Sequence, residues 1–108
     1  MAVVSRPIWY VERDGVPVPA TLAEYAASTR AHVGDEEAGG YRVSTVFLSQ
    51  DYSLEPVGPP LIYETRLFGA GEHDRWYDRY HTRAEAAEGH ARVCGRLRAG
   101  LSPDWGTE

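Results

Sequence analysis

The chain has no lysine, one cysteine and no long apolar run. Each shortage excludes something. Cys94 alone cannot form an internal disulfide, which points to a reducing cytoplasm rather than a secreted home. The N-terminus reaches Arg6 and Pro7 after a few apolar residues, too short for a signal-peptide core, and no later run approaches the roughly 20 residues of a membrane helix. The chain therefore reads as soluble, without a membrane partner. All 11 basic residues are arginine, whose planar guanidinium pairs bidentately where an ammonium cannot. The 16 acidic residues leave a net charge of -5, which speaks against a nucleic-acid backbone as partner. Seven arginines lie from Arg66 onward, so an arginine-bearing face remains compatible with the overall sign.

What is present is ordinary globular material. With 108 residues, 43% hydrophobic and 25% charged, the chain suits one domain with one core. That domain is expected over residues 1–101, with 102–108 as a flexible, frayed tail; the alternative is that Trp105 folds back onto the domain. Between Ile8-Trp-Tyr-Val11 and Val16-Pro-Val18, Asp14-Gly15 predicts a hairpin. Pro17 and Pro19 put this hairpin at a sheet edge or leave it as a loose arm. Thr21 and Glu24 form a capping box opening a first helix, whose face carries Leu22, Tyr25, Ala26, Thr29 and Val33 and which Gly34 stops. Asp35-Glu-Glu-Ala-Gly-Gly40 reads as a solvated loop.

Three strands are expected next: Tyr41–Gln50, with Tyr41, Val43, Thr45 and Phe47 on one face; Leu61–Phe68, with Leu61, Tyr63, Thr65 and Leu67 inward; and Trp76–His81. Short connections make them an antiparallel meander. Thr82 and Glu85 repeat the capping box for a second helix to Arg98, ended by Gly100, with Ala86, His90, Val93 and Leu97 buried and Ala87 and Cys94 beside them. The fold class is α+β, a small antiparallel meander of about three strands plus an N-terminal hairpin packed with two helices, in the order ββαβββα.

The blocks Val43-Ser-Thr-Val-Phe-Leu48, Gly58-Pro-Pro-Leu-Ile-Tyr-Glu-Thr65, Arg79-Tyr-His-Thr82 and the helical Glu85-Ala86 and Gly89-His90 resemble a group of small uncharacterised bacteriophage and prophage proteins. The likeness spans about residues 41–93. The chain departs from that pattern at Ser49-Gln50-Asp51, where members tend to read leucine-aspartate-histidine, and at Tyr25, where they carry a tryptophan-rich helix. The resemblance implies a phage-type accessory protein with no assigned chemistry.

For chemistry, the candidate catalytic residues are Glu64, His81 and His90, joined by Asp51 or His73. Glu64 interrupts a β-prone run and His90 interrupts an apolar stripe, and buried groups of this kind suit acid–base work or metal ligation. Against this, a buried carboxylate near Arg66 or Arg79 more often makes a structural ion pair, and a histidine on an apolar face more often packs. No HExxH or CxxC spacing, Gly-x-Ser-x-Gly elbow or phosphate-cradling loop occurs. No metal and no cofactor is expected, and enzymatic activity is not favoured. For binding, the aromatics outnumber what a small core can hide; Tyr52, Trp76, Tyr77 and Arg79, with the Asp51–Pro60 connection, are the expected contact residues. The reading is a non-catalytic binder of a host or phage protein, serving host takeover or anti-defence, with a homodimer through an edge strand as a further route. The rival is a small enzyme or metal-binding protein using Glu64, His81 and His90.

Overall fold

The computed structural model describes residues 9–28, 32–53, 57–69 and 75–101, without the side chains of Arg75, Trp76 and Tyr77. His73 and Trp105 lie outside the described residues. The hairpin forms as its turn dictates. β1 (Trp9–Arg13) and β2 (Val16–Ala20) pair antiparallel around Asp14 and Gly15, both with positive φ, the geometry of a type I′ turn. α1 (Leu22–Ala27) starts at the Thr21–Glu24 capping box, and its Tyr25 stacks on Trp9 with ring centroids 4.3 Å apart.

α1 is shorter than the sequence suggests. The chain turns extended at Ser28, and His32–Ala38 is a strand, β3, paired antiparallel with β4 (Tyr41–Phe47). Thus Val33 is not helical, Leu22 is 59% exposed, and Asp35, Glu36 and Glu37 are strand residues rather than a solvated loop. The hairpin is closed by Gly39 and Gly40 at φ 57° and 88°, which β-carbon-bearing residues resist. Side chains alternate across a strand, so Gly34, Glu36 and Ala38 face one way and Asp35 and Glu37 the other. Arg42 of β4 clamps Asp35 with two hydrogen bonds of 2.9 and 2.8 Å. β3 is a sheet edge, and its acids discourage further strand pairing.

β5 (Tyr63–Gly69) and β6 (Arg75–Tyr80) complete a four-stranded antiparallel sheet in the order β3-β4-β5-β6. The class is α+β as expected, with one strand more than the meander read from the sequence. A bulge in the β5–β6 ladder falls at Tyr77, because Thr65 pairs with Asp78 while Arg66 pairs with Trp76.

α2 (Arg83–Arg98) begins at the Thr82–Glu85 capping box. It ends with Leu101 N–H donating to Arg96 O (3.0 Å) and Gly100 N–H to Leu97 O (3.1 Å), a Schellman cap. It buries Ala86, Gly89, His90, Val93, Cys94 and Leu97; Ala87, expected beside that stripe, is exposed. No helix among the described residues is long and apolar enough to cross a membrane.

The core has two apolar clusters. Ala38, Val43, Leu67, Val93, Cys94 and Leu97 pack under the second half of α2. Tyr10, Phe47, Ile62, Tyr63, Tyr80 and Ala86 pack under its start. The N-terminal hairpin is fastened to the second cluster. Tyr10 N–H donates to Ser49 O at 2.9 Å, and Glu12 accepts from the Tyr63 hydroxyl at 2.6 Å and from Arg83 at 3.0 Å. Desolvation and that carboxylate raise the pKa of the Tyr63 hydroxyl.

Candidate functional site

Between the two clusters, at the middle of α2, runs a chain of buried polar groups. His90 is only 6% exposed. Its Nδ1 lies 2.7 Å from Thr45 Oγ1, Thr45 Oγ1 lies 2.6 Å from Thr65 Oγ1, and Thr65 Oγ1 lies 3.1 Å from the Tyr80 hydroxyl. On the other side of the ring, Nε2 meets Glu36 Oε1 at 2.8 Å, while Glu36 Oε2 accepts from Arg98 at 2.6 Å. One residue from each of the four strands and two from α2 are thereby joined. Two glycines make the room: a β-carbon on Gly34 would fall 2.5 Å from His90 Nε2, and one on Gly89 would overlap the Tyr80 hydroxyl.

Proton positions follow from Glu36. Its hydrogen bonds from Arg98 and then His90 hold its carboxyl down at about 2, so it is an ionised acceptor and His90 Nε2 carries a proton. With the ring neutral, Nδ1 accepts from Thr45, Thr45 from Thr65 and Thr65 from Tyr80. With the ring protonated, Nδ1 donates and the hydroxyls turn round. Both arrangements satisfy the chain, and no buried side-chain polar atom among the described residues lacks a partner.

Cys94 sits one helical turn beyond His90. Donor atoms of Glu36, His90 and Cys94 all lie within 4.8 Å of one another. Burial, and then the Glu36 carboxylate, push the Cys94 thiol up to about 11, so it is a protonated thiol at neutral pH rather than a nucleophile.

Of the described candidates read from the sequence, Glu64, His81 and Asp51 do not join this chain. Glu64 is next to Thr65 on β5 and therefore points to the opposite face of the sheet. There it is 4% exposed and is paired with Arg79 Nε at 2.9 Å and Arg66 Nη1 at 3.6 Å. His81 Nδ1 lies 3.0 Å from the Pro60 carbonyl. Asp51 accepts from the Ser53 and Leu61 N–H groups at 2.8 and 2.9 Å, folding the loop rather than joining a site. Of the described candidates, only His90 lies in the polar chain.

Its partners Glu36, Thr45, Thr65 and Tyr80 escaped the sequence reading as site residues. Thr45 and Thr65 do lie on the inward faces read from the alternation. For Glu36 the usable signal was Gly39-Gly40, a hairpin turn that makes the acidic run a strand with one acid turned inward.

Two of the expected binding residues, Tyr52 and Arg79, meet on the face opposite α2. Arg79, held by Glu64, stands over the Tyr52 ring at 4.6 Å from its centroid. Tyr52 is 42% exposed and Val57, in the same connection, 77%. Arg66 and Arg42 share this face by register, with Arg42 over Phe68 at 5.8 Å. Trp76 and Tyr77 lie on β6, Trp76 opposite Arg66; their side chains are outside the described residues.

No family model, no curated protein and no solved structure matches the chain.

Proposed function

We propose that this protein is a non-catalytic binder of a protein partner, working through the sheet face opposite α2 and the Asp51–Pro60 connection beside it. The observation that carries this reading is the Glu64–Arg79–Tyr52 stack. A buried carboxylate already orders the guanidinium, and the guanidinium orders the aromatic ring, so little rotamer freedom is left to lose on binding. Tyrosine and arginine are the residues from which interface hot spots are most often built. Arg66, with a side chain 40% exposed and a contact to Glu64 longer than a hydrogen bond, adds a positive anchor suited to a carboxylate on the partner. The resemblance of residues 41–93 to small phage and prophage proteins supports a bacterial host or phage protein as that partner, encountered in the host cytoplasm during host takeover or anti-defence. The rival reading through Glu64, His81 and His90 lacks support because those groups are not brought together.

Affinity capture from bacterial lysate, followed by titration of the purified partner, tests the reading. Tyr52→Ala is expected to weaken binding by about tenfold or more, Arg66→Ala to weaken it with a flatter salt dependence, and both variants to melt like the wild type. Arg79→Ala is unsuitable, since it leaves Glu64 buried without its main counter-charge. A partner whose affinity ignores both substitutions, or no retained partner at all, overturns the proposal.

A further inference from the structure

The Glu36–His90–Cys94 cluster lies on the opposite side of the sheet from the proposed binding face and needs no partner protein. We propose that Glu36, His90 and Cys94 form a binding site for one zinc-type divalent cation, which clamps the edge strand β3 to α2. The donors are one carboxylate oxygen, one imidazole nitrogen and one sulfur, a set that matches borderline-soft cations and not magnesium or calcium. His90 and Cys94 are four residues apart and share one face of α2, while Glu36 reaches them from β3.

The geometry is close to what such an ion needs. Zinc bonds of about 2.0–2.3 Å with tetrahedral angles put these donor atoms roughly 3.3–3.6 Å apart. Here the Glu36–His90 contact is 2.8 Å and no donor pair exceeds 4.8 Å, so seating the ion changes donor spacings by about an ångström. Glu36, the donor with the most freedom, has a side chain 42% exposed. It moves most easily and leaves the fourth coordination position open to water. The groups that commonly orient metal ligands are also in place. Thr45 holds His90 through Nδ1, leaving Nε2 toward the cluster, and Arg98 holds the second oxygen of Glu36.

The proton balance is simple. A neutral His90 ring moves its proton from Nε2 to Nδ1 on binding as the Thr45, Thr65 and Tyr80 hydroxyls reverse direction, so that chain neither gains nor loses a proton; a protonated ring already donates from Nδ1 and gives its Nε2 proton to solvent. Cys94 gives up its thiol proton to solvent. One cation binds, and one proton leaves from Cys94, with a second from His90 where its ring was protonated.

Titration of the purified full chain with cobalt(II) and zinc(II) tests this. One equivalent of cobalt is expected to give a near-ultraviolet thiolate-to-cobalt absorption, which can come only from Cys94, the sole cysteine. Zinc should displace the cobalt, raise the melting midpoint, and bind more tightly as pH rises, because the Cys94 thiol must lose its proton to ligate. Cys94→Ser should abolish the absorption and the thermal shift, and Glu36→Gln should weaken zinc binding. Thr45→Val should weaken it about 10- to 100-fold while keeping the absorption. If folded wild-type protein shows no thiolate band with cobalt, or if zinc affinity is the same in Cys94→Ser, the site does not exist. The Cys94 and Glu36 variants keep the test decisive should Thr45→Val fold poorly.

Discussion

The imidazole of His90 occupies the place where a side chain on Gly34 would have to stand, its Nε2 lying 2.5 Å from the position of a β-carbon there. Helix and edge strand touch through a ring on one and a bare backbone on the other. Gly34→Ala is therefore expected to lower stability by about 1–3 kcal/mol through overpacking, measured by urea denaturation. In combination with His90→Ala the two losses should be less than additive, because the clash disappears with the ring. Strict additivity would show that the contact is not made in solution.

Thr65 stands in the middle of the buried polar chain, 2.6 Å from Thr45 and 3.1 Å from Tyr80. Thr65→Val keeps the shape and removes the hydroxyl, leaving neighbours short of a partner, and is expected to cost about 1–3 kcal/mol. Replacing the chain as a unit, with Thr45→Val and His90→Leu added, should recover part of that loss, since shape-matched apolar groups need no partners. Equal or greater destabilisation of the triple variant in chemical denaturation would argue that the polar chain stabilises the fold beyond satisfying itself.

Glu36 gives the fold an acid limit. Its folded pKa, about 2, lies below the ordinary 4.5 because of Arg98 and then His90, so the folded state favours the ionised form. The contribution is complete above about pH 4.5 and is lost as pH falls toward 2. Asp35 shifts in the same direction through Arg42. Urea midpoints measured from pH 6 down to pH 2.5 should fall, and Glu36→Gln should be less stable at pH 6 with a shallower fall. A variant that retains the full acid sensitivity of the wild type would assign that sensitivity to other carboxylates.

The two capping boxes look alike in sequence and are expected to differ in energy. Thr82 starts α2, which supplies Ala86, Val93, Cys94 and Leu97 to the core, and Thr82→Ala should cost about 1 kcal/mol of global stability. Thr21 starts α1, which has no buried residue and can open locally without exposing core. Thr21→Ala should scarcely move the global melt while raising amide exchange in α1. Equal shifts in melting would mean that α1 folds as one unit with the sheet.

Particular residues show where local reading works. Asp14-Gly15, the Thr21 and Thr82 capping boxes and the Gly100 stop act over a few bonds, so their outcomes follow from neighbouring residues alone. The inward faces of β4 and β5 were legible because Val43, Thr45, Phe47, Tyr63, Thr65 and Leu67 alternate with Ser44, Val46, Glu64 and Arg66, polar except for Val46. β3 was not legible in the same way. Asp35, Glu36 and Glu37 have poor intrinsic strand preference, and what holds them extended is pairing with β4 together with Arg42 on one face and His90 with Arg98 on the other. Those partners are separated from the acids by up to 62 residues of chain.

The same distinction divides the candidate sites. Glu64 and His90 looked like companions because both are polar interruptions of apolar patterns, and strand alternation at Thr65 sends them to opposite faces. By itself, the amino-acid order determined the class of fold, the turns, the caps and most of the buried stripes, since those depend on dihedral preferences and periodicity within a few residues. Only the tertiary structure decided which acid meets His90, which arginine meets Glu64 and that an acidic run is an edge strand. Those outcomes depend on distances between segments far apart in the chain, which no local pattern records.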